Sequence, residues 1–230
     1  MADHTIERTQ RKLPSIPLLV GVFLISLLLS GATIFVILDQ VIESPDSGDA
    51  YNDVLTSTYG EDGVRLIDPP REVTDFTLTS HTGSPLSLSD LRGKPVILFF
   101  GYTSCPDVCP MTMMDMQRVQ GALGETDDEV SYLFVSVDGD RDTPERLQRF
   151  FAMRNVEAFM QGMSGEDTTL RQITPDYGLF YQLNEPEANG YYTVDHTSST
   201  FLLDAEGRLA RIFAFGTEPD VIARHIRELL

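Results

Sequence analysis

Past the first 16 residues, the pattern of apolar and polar positions divides the chain into three stretches. No charged residue occurs from position 13 to 38, and positions 17–38 are mostly Leu, Val, Ile and Phe. As a helix rising about 1.5 Å per residue, that run spans roughly 33 Å, enough to cross a hydrocarbon layer about 30 Å thick. Positions 39–68 are polar and rich in breakers, with Ser44–Pro45–Asp46–Ser47–Gly48–Asp49 among them. They predict a flexible tether without a packed core. From 69 to 230, short apolar runs alternate with amphipathic ones over roughly 160 residues, the size of one domain with its own core.

Within that domain, short strands are predicted at 73–78 and 86–88 around the turn Thr82–Gly83–Ser84–Pro85. Unbroken apolar runs at 96–100 and 130–137 read as buried central strands. A helix is predicted over 110–121 with Pro110 at its first position. A second opens with Thr143 as N-cap and Pro144 at its first position, turning Leu147, Phe150, Phe151 and Met153 to one side. A third covers 168–177. Residues 178–194, with Tyr181, Tyr191 and Tyr192, show little regularity and read as a long segment with room to move. Strands at 200–203 and 209–215 flank the turn Asp204–Ala205–Glu206–Gly207. A last helix, 219–230, places Val221, Ile222, Ile226 and Leu229 inward. The predicted order is β-β-α-β-α-α-β-β-α.

Charge orients the apolar run. Arg8, Arg11 and Lys12 precede it; Asp39, Glu43, Asp46 and Asp49 follow it. The positive-inside rule then holds residues 1–16 in the cytoplasm and sends everything after Leu38 to the exported, extracytoplasmic side. Ser30–Gly31–Ala32 has the look of a signal-peptidase site, but the apolar run continues to Leu38, longer than a signal core. The reading is an uncleaved single-pass anchor at 17–38. The short basic N-terminus lacks an Arg- and Ser-rich transit segment and points to a bacterial membrane. The chain carries a net charge of −18, and from Asp39 onward 33 acidic residues face 14 basic ones. That balance excludes a nucleic-acid partner and reads as a solvated surface open to a basic protein partner.

The two cysteines of the chain, Cys105 and Cys109, lie in Thr103–Ser104–Cys105–Pro106–Asp107–Val108–Cys109–Pro110, directly after the first central strand. Both sulfurs are expected in the loop. Cysteines at the tip of that strand, a parallel strand pair, a hairpin and a terminal helix together predict an α/β, thioredoxin-like fold with an N-terminal hairpin extension. A bridge between residues so close constrains the unfolded chain little, so a purely structural disulfide is a weak reading. A redox pair or one soft metal ion remains. Thioredoxin-type reductants separate their cysteines by two residues, whereas three separate these. Cys109, just before Pro110, is expected near a helix N-terminus, where the dipole favours a thiolate. Thiolates select copper(I), zinc or iron–sulfur, and two sulfurs leave such an ion short of donors.

Among the four histidines, His4 is cytoplasmic and His81 and His225 read as surface residues. His196, in Val194–Asp195–His196–Thr197–Ser198–Ser199–Thr200, precedes a predicted core strand whose loop faces the cysteine loop in such a sheet. A lone histidine there is more often structural, but Asp195 stands ready to orient it as ligands usually are. Met111, Met113, Met114 and Met116 carry thioethers, yet helical spacing makes most of them core filler.

Three segments together resemble the Sco/SenC family of membrane-anchored copper proteins: Thr103–Ser104–Cys105–Pro106–Asp107–Val108–Cys109–Pro110, Val135–Ser136–Val137–Asp138 with Arg141–Asp142–Thr143–Pro144, and Asp195–His196–Thr197–Ser198–Ser199–Thr200. The resemblance implies that Cys105, Cys109 and His196 bind one copper ion. It also implies a thioredoxin fold and delivery of copper to the dinuclear site of cytochrome c oxidase subunit II, with another copper chaperone or a thiol reductant as further partners. One departure is Gly139–Asp140, where the family usually has Pro after the aspartate. It predicts a more pliant loop and leaves Asp138 between a capping role and an electrostatic one on the metal.

Three other functions fit parts of the pattern. A thiol–disulfide oxidoreductase acting on exported proteins needs only the Cys105–Cys109 redox pair. A redox or copper sensor needs the pair and a regulator. A peroxidase of the same fold needs an arginine beside the reactive sulfur, and none lies between Gly93 and Met116.

Overall fold

The computed structural model describes residues 58–230. The anchor expected over 17–38 and most of the tether lie outside the described residues, and among those described no helix is long and apolar enough to cross a membrane. The domain is built on an eight-stranded sheet in the order β1-β10-β9-β4-β5-β6-β2-β3. Its centre is β4 (Val96–Gly101), parallel to β5 (Ser131–Ser136), which is parallel to β6 (Met160–Ser164). Every residue of β4 is buried, as the unbroken apolar run requires of a strand covered on both faces. On one side β9 (Thr200–Leu203), β10 (Leu209–Phe213) and β1 (Val64–Arg71) continue the sheet antiparallel. On the other, the hairpin of β2 (Thr77–Ser80) and β3 (Pro85–Ser87) pairs antiparallel with β6.

The helices cross over this sheet. α1 (Val108–Leu123) joins β4 to β5, and α2 (Pro144–Ala152) joins β5 to β6. α3 (Asp167–Ile173) follows β6, and α4 (Pro219–Arg227) packs beside α1. Thr143 caps α2 by accepting a hydrogen bond from the Arg146 amide, with Pro144 in the first turn, as its sequence predicts. The core fills with aromatic rings in edge-on and tilted contact. Phe134 sits against Phe99, Phe150 and Phe151 at 5.2, 5.7 and 6.0 Å between centroids. These geometries align ring edges with ring faces, a preference worth about 0.5–1.5 kcal/mol per pair beyond burial.

Four differences from the sequence reading have clear causes. β1 begins at Val64, inside the stretch read as tether through Asp68; its charged and proline residues suit an edge strand that pairs only with β10. β6, Met-Gln-Gly-Met-Ser, was not expected as a strand, since it has no β-branched residue. Its Gly162 is needed because a Cβ there would lie 2.5 Å from the Phe151 ring. Residues 178–194 are not irregular throughout: β7 (Tyr181–Leu183) and β8 (Val194–His196) form a separate antiparallel hairpin. The predicted third helix is α3 followed by one 3-10 turn, Thr174–Tyr177.

Candidate metal centre

The cysteine loop leaves the C-terminal end of β4 and enters α1 two residues earlier than Pro110 suggests. The helix starts at Val108, so Cys109 lies in its first turn and only Cys105 remains in the loop. Proline is tolerated at the third helical position because its missing N–H has no intrahelical acceptor there. Both cysteines are free thiols and both are buried, Cys105 at 8 % and Cys109 at 1 % exposure. The Cys109 sulfur rests on Gly101, where a Cβ would approach it to 2.6 Å. That close passage explains glycine at the end of an otherwise bulky strand.

A carboxylate that the sequence reading passed over fixes the start of the loop. Asp142 is fully buried, and its oxygens accept from the Thr103 amide (2.8 Å), the Thr103 hydroxyl (2.6 Å) and the Ser136 hydroxyl (2.6 Å). Burial pushes its carboxyl up, while these three donors act in the opposite direction. Arg146 of α2 then donates to the Thr103 hydroxyl at 2.8 Å and the Ser104 hydroxyl at 2.6 Å. An arginine therefore reaches the cysteine loop from elsewhere in the fold, with its Nε and one Nη engaged by loop hydroxyls. The signal for both residues lies in Arg141–Asp142–Thr143–Pro144–Glu145–Arg146, whose first four residues carry part of the family resemblance and whose Thr143–Pro144 opens α2.

His196 arrives at the end of β8. Its Nε2 lies 3.7 Å from the Cys109 sulfur, and its Nδ1 lies 2.9 Å from the Thr197 carbonyl. A carbonyl can only accept, so Nδ1 carries a proton, and Nε2 is the ring atom turned to the sulfurs. The orienting acceptor is thus the Thr197 backbone and not Asp195, which is exposed. Tyr102 meets the imidazole edge-on at 5.9 Å and limits its tilt. The donor atoms of Cys105, Cys109 and His196 all lie within 4.8 Å of one another.

The two sulfurs share a proton unequally. The Cys109 thiol donates to Cys105 and draws the latter's pKa down to about 3 against the effect of burial, helped by His196 and by the amides of Cys109 and Asp107. Cys109 is pushed up by that same hydrogen bond and by burial. The thiolate therefore sits on Cys105, not on Cys109 as proximity to the helix end suggests. The amides of the first helical turn point to the loop sulfur rather than to the residue that belongs to the helix. Two buried sulfurs, one of them ionised, and one half-buried imidazole nitrogen form a soft donor set suited to copper or zinc.

The remaining residues singled out in the sequence stand apart from this cluster. Asp138 is buried, and its carboxylate accepts from the Tyr192 hydroxyl at 2.7 Å and from Arg141. Its carbonyl takes the Arg141 and Asp142 amides, which is a loop-capping role. Gly139 is not a pliant substitute for proline: a Cβ there would lie 1.8 Å from the Gly165 carbonyl oxygen. Met113 and Met116 are core residues, and Met111 and Met114 are exposed. His81 accepts the Gly162 amide and packs edge-on against Phe151, and His225 is buried beside Glu228 instead of facing solvent.

The SCO1/SenC family model matches residues 65–230. The SCO2-like protein of Rickettsia prowazekii is 29% identical over 170 residues, 74% of this chain and 77% of its own. The copper-bound structure of Bradyrhizobium japonicum ScoI is 32% identical with a TM-score of 0.62, over 69% of this chain and 99% of that one. The apo Sco1 structure from Thermus thermophilus is 34% identical with a TM-score of 0.64, over 76% and 99%. With the family model covering nearly all of the described domain and the paired thiols set within 4.8 Å of an imidazole nitrogen, the chain belongs to the SCO1/SenC family.

Proposed function

We propose that this protein is a membrane-anchored copper-binding protein that carries copper to the dinuclear site of cytochrome c oxidase subunit II, or prepares the cysteines of that site. The observation that carries the reading is the cluster of Cys105, Cys109 and His196 donors within 4.8 Å, in a chain of a family with a copper-bound member structure. Copper is the cargo. The Cys105 thiolate offers the first sulfur, Cys109 offers a second on losing its proton, and the Nε2 lone pair offers a nitrogen. Anchoring through residues 17–38 would hold the domain at the extracytoplasmic membrane face, where an oxidase subunit in the same membrane is within reach. The test is copper stoichiometry and optical absorption of the reduced full chain beside His196→Ala. The expected result is one copper per chain, with a sulfur-to-copper charge-transfer band that shifts or disappears in the variant. Equal copper retention and an identical spectrum would remove His196 from the ligand set.

The unequal sharing of the proton supports a second activity at the same sulfurs. The Cys105 thiolate attacks a partner disulfide and releases one partner thiolate. Deprotonated Cys109 then attacks the mixed disulfide, leaving a Cys105–Cys109 disulfide and a fully reduced partner. His196→Ala leaves such turnover intact, which separates it from copper carriage.

A further inference from the structure

His196 does not belong to the sheet that carries the cysteines. It lies on the β7–β8 hairpin, a separate two-stranded unit. Something must therefore fix the distance between hairpin and cysteine loop, because hydrogen bonds within the hairpin cannot. One such tie joins the Tyr181 hydroxyl to Asp167 of α3 at 2.6 Å; the one with the most contacts on a single residue sits after β5. Asp138, 1 % exposed, accepts the Tyr192 hydroxyl at 2.7 Å and pairs with Arg141. The Arg141 guanidinium donates to the Tyr192 carbonyl at 2.8 Å and lies 3.4 Å over the Tyr192 ring. The same guanidinium lies 5.8 Å from the Tyr102 ring, which itself meets the His196 ring edge-on at 5.9 Å. Tyr192 is thus gripped at its hydroxyl, its ring face and its backbone, four residues before His196. A residue filling space on a hairpin needs one of these contacts, not all three.

We infer that Asp138, Arg141 and Tyr192 form a positioning clamp that sets the hairpin, and with it His196, at its distance from the two sulfurs. The inference rests on the proposed metal reading for its consequence but not for its geometry. None of the three touches the donor cluster. The cysteines are held by different groups, Gly101, Asp142 and Arg146. Asp142 is joined to the clamp through its amide on the Asp138 carbonyl, so it is at Tyr192 that the nitrogen ligand can be loosened with least effect on the sulfur pair, and a partner that displaces Tyr192 from Asp138 would leave copper on two sulfurs, ready for exchange. Such control acts on the rate of copper release more than on the number of ions bound.

The experiment uses the reduced full chain with Tyr192→Phe, which keeps the ring over Arg141 and removes only the hydroxyl, and Arg141→Met as the stronger lesion. In the metal-free protein, amide hydrogen exchange of Asp195 and Thr197, whose N–H groups face β7, is expected to quicken on the order of 5-fold in Tyr192→Phe, the effect of one lost hydrogen bond. Exchange in β4 and β5 stays unchanged. Unchanged exchange at the hairpin in both variants overturns the clamp, whatever the protein does with copper. With copper alone as the probe, release to a chelator is expected to quicken roughly 5-fold in Tyr192→Phe and to show no further change when the same substitution is made in His196→Ala. An equal effect in that background overturns the positioning of His196, even if the hairpin loosens. Failure of wild type to bind copper overturns the functional reading and leaves the exchange result to decide the clamp.

Discussion

Replacing Gly101 with alanine tests how the sulfur pair is built. The new Cβ would stand 2.6 Å from the Cys109 sulfur and 2.9 Å from the Phe134 ring. Comfortable contact needs about 3.5–4.0 Å, so roughly 1 Å must be found on each side. Phe134 is fully buried and wedged among Phe99, Phe150 and Phe151, so its ring has nowhere to turn. The sulfur must yield instead, and with it the first turn of α1. Overpacking of this kind costs about 1–3 kcal/mol of stability. It also breaks the Cys109-to-Cys105 hydrogen bond, the largest cause of the depressed pKa of about 3 at Cys105. Two assays on the reduced, metal-free chain read these effects separately: urea unfolding, and the pH dependence of Cys105 alkylation rate. The expected outcome is a lower unfolding midpoint and a Cys105 titration moved up toward the ordinary thiol value of about 8.5. A change in stability below about 0.5 kcal/mol together with an unmoved titration would refute the packing argument.

Gly139→Pro is expected to destabilise the domain by about 2 kcal/mol or more, because its Cβ would meet the Gly165 carbonyl at 1.8 Å; an unfolding midpoint equal to wild type would show that the loop moves aside freely. In the reduced, metal-free protein, iodoacetamide at pH 5 is expected to modify Cys105 and spare Cys109, since one sulfur is already ionised and the other is pushed up; modification of both only above pH 8 would count against the shared proton. Asp142→Asn gives a test by pH. A carboxyl whose folded pKa is raised contributes stability that is complete below its unfolded value and is lost as pH rises through the folded one. The stability of wild type relative to Asp142→Asn is therefore expected to fall as pH rises from about 4, and a difference that grows instead would mean the three donors outweigh burial.

What the sequence made legible follows from where local chemistry and tertiary burial agree. β4 and β5 are unbroken apolar runs because both of their faces are covered, and α2 announces itself through Thr143 and Pro144. The cysteine loop and His196 could be paired because the order of elements brings the ends of β4 and β8 to one side of the sheet. Other features depend on long-range contacts that leave little local trace. β6 is a strand because Phe151 covers Gly162 and β5 pairs with it, not through any propensity of Met-Gln-Gly-Met-Ser. His225 sits beside arginines in sequence, yet the turn of α4 that carries it faces Phe213, and Glu228 answers its Nδ1. Asp142 stands out in sequence only as part of a family segment, whereas Thr103, 39 residues earlier, decides its role. Gly139 looked like a loss of rigidity only because the Gly165 carbonyl that it touches is remote in sequence.

On the proposed function, the division of supports bears on how the protein can both hold copper and give it away. A site built wholly on one rigid element binds well but must release all its ligands together, and residence then grows with affinity. Here the sulfurs rest on the sheet, through Gly101 beneath Cys109 and Asp142 behind Thr103. The nitrogen rests on a hairpin outside that sheet. Loss of the imidazole leaves a two-sulfur site that still suits a soft ion but offers an open direction to an incoming thiolate. The low pKa of Cys105 works the same way, since no proton must be displaced for that sulfur to bind, whereas Cys109 must lose one. Loading should therefore release about one proton from the sulfur pair near neutral pH rather than two. A proton count by weakly buffered calorimetry during copper binding would find close to one if the pair behaves so, and close to two if both cysteines enter as ordinary thiols.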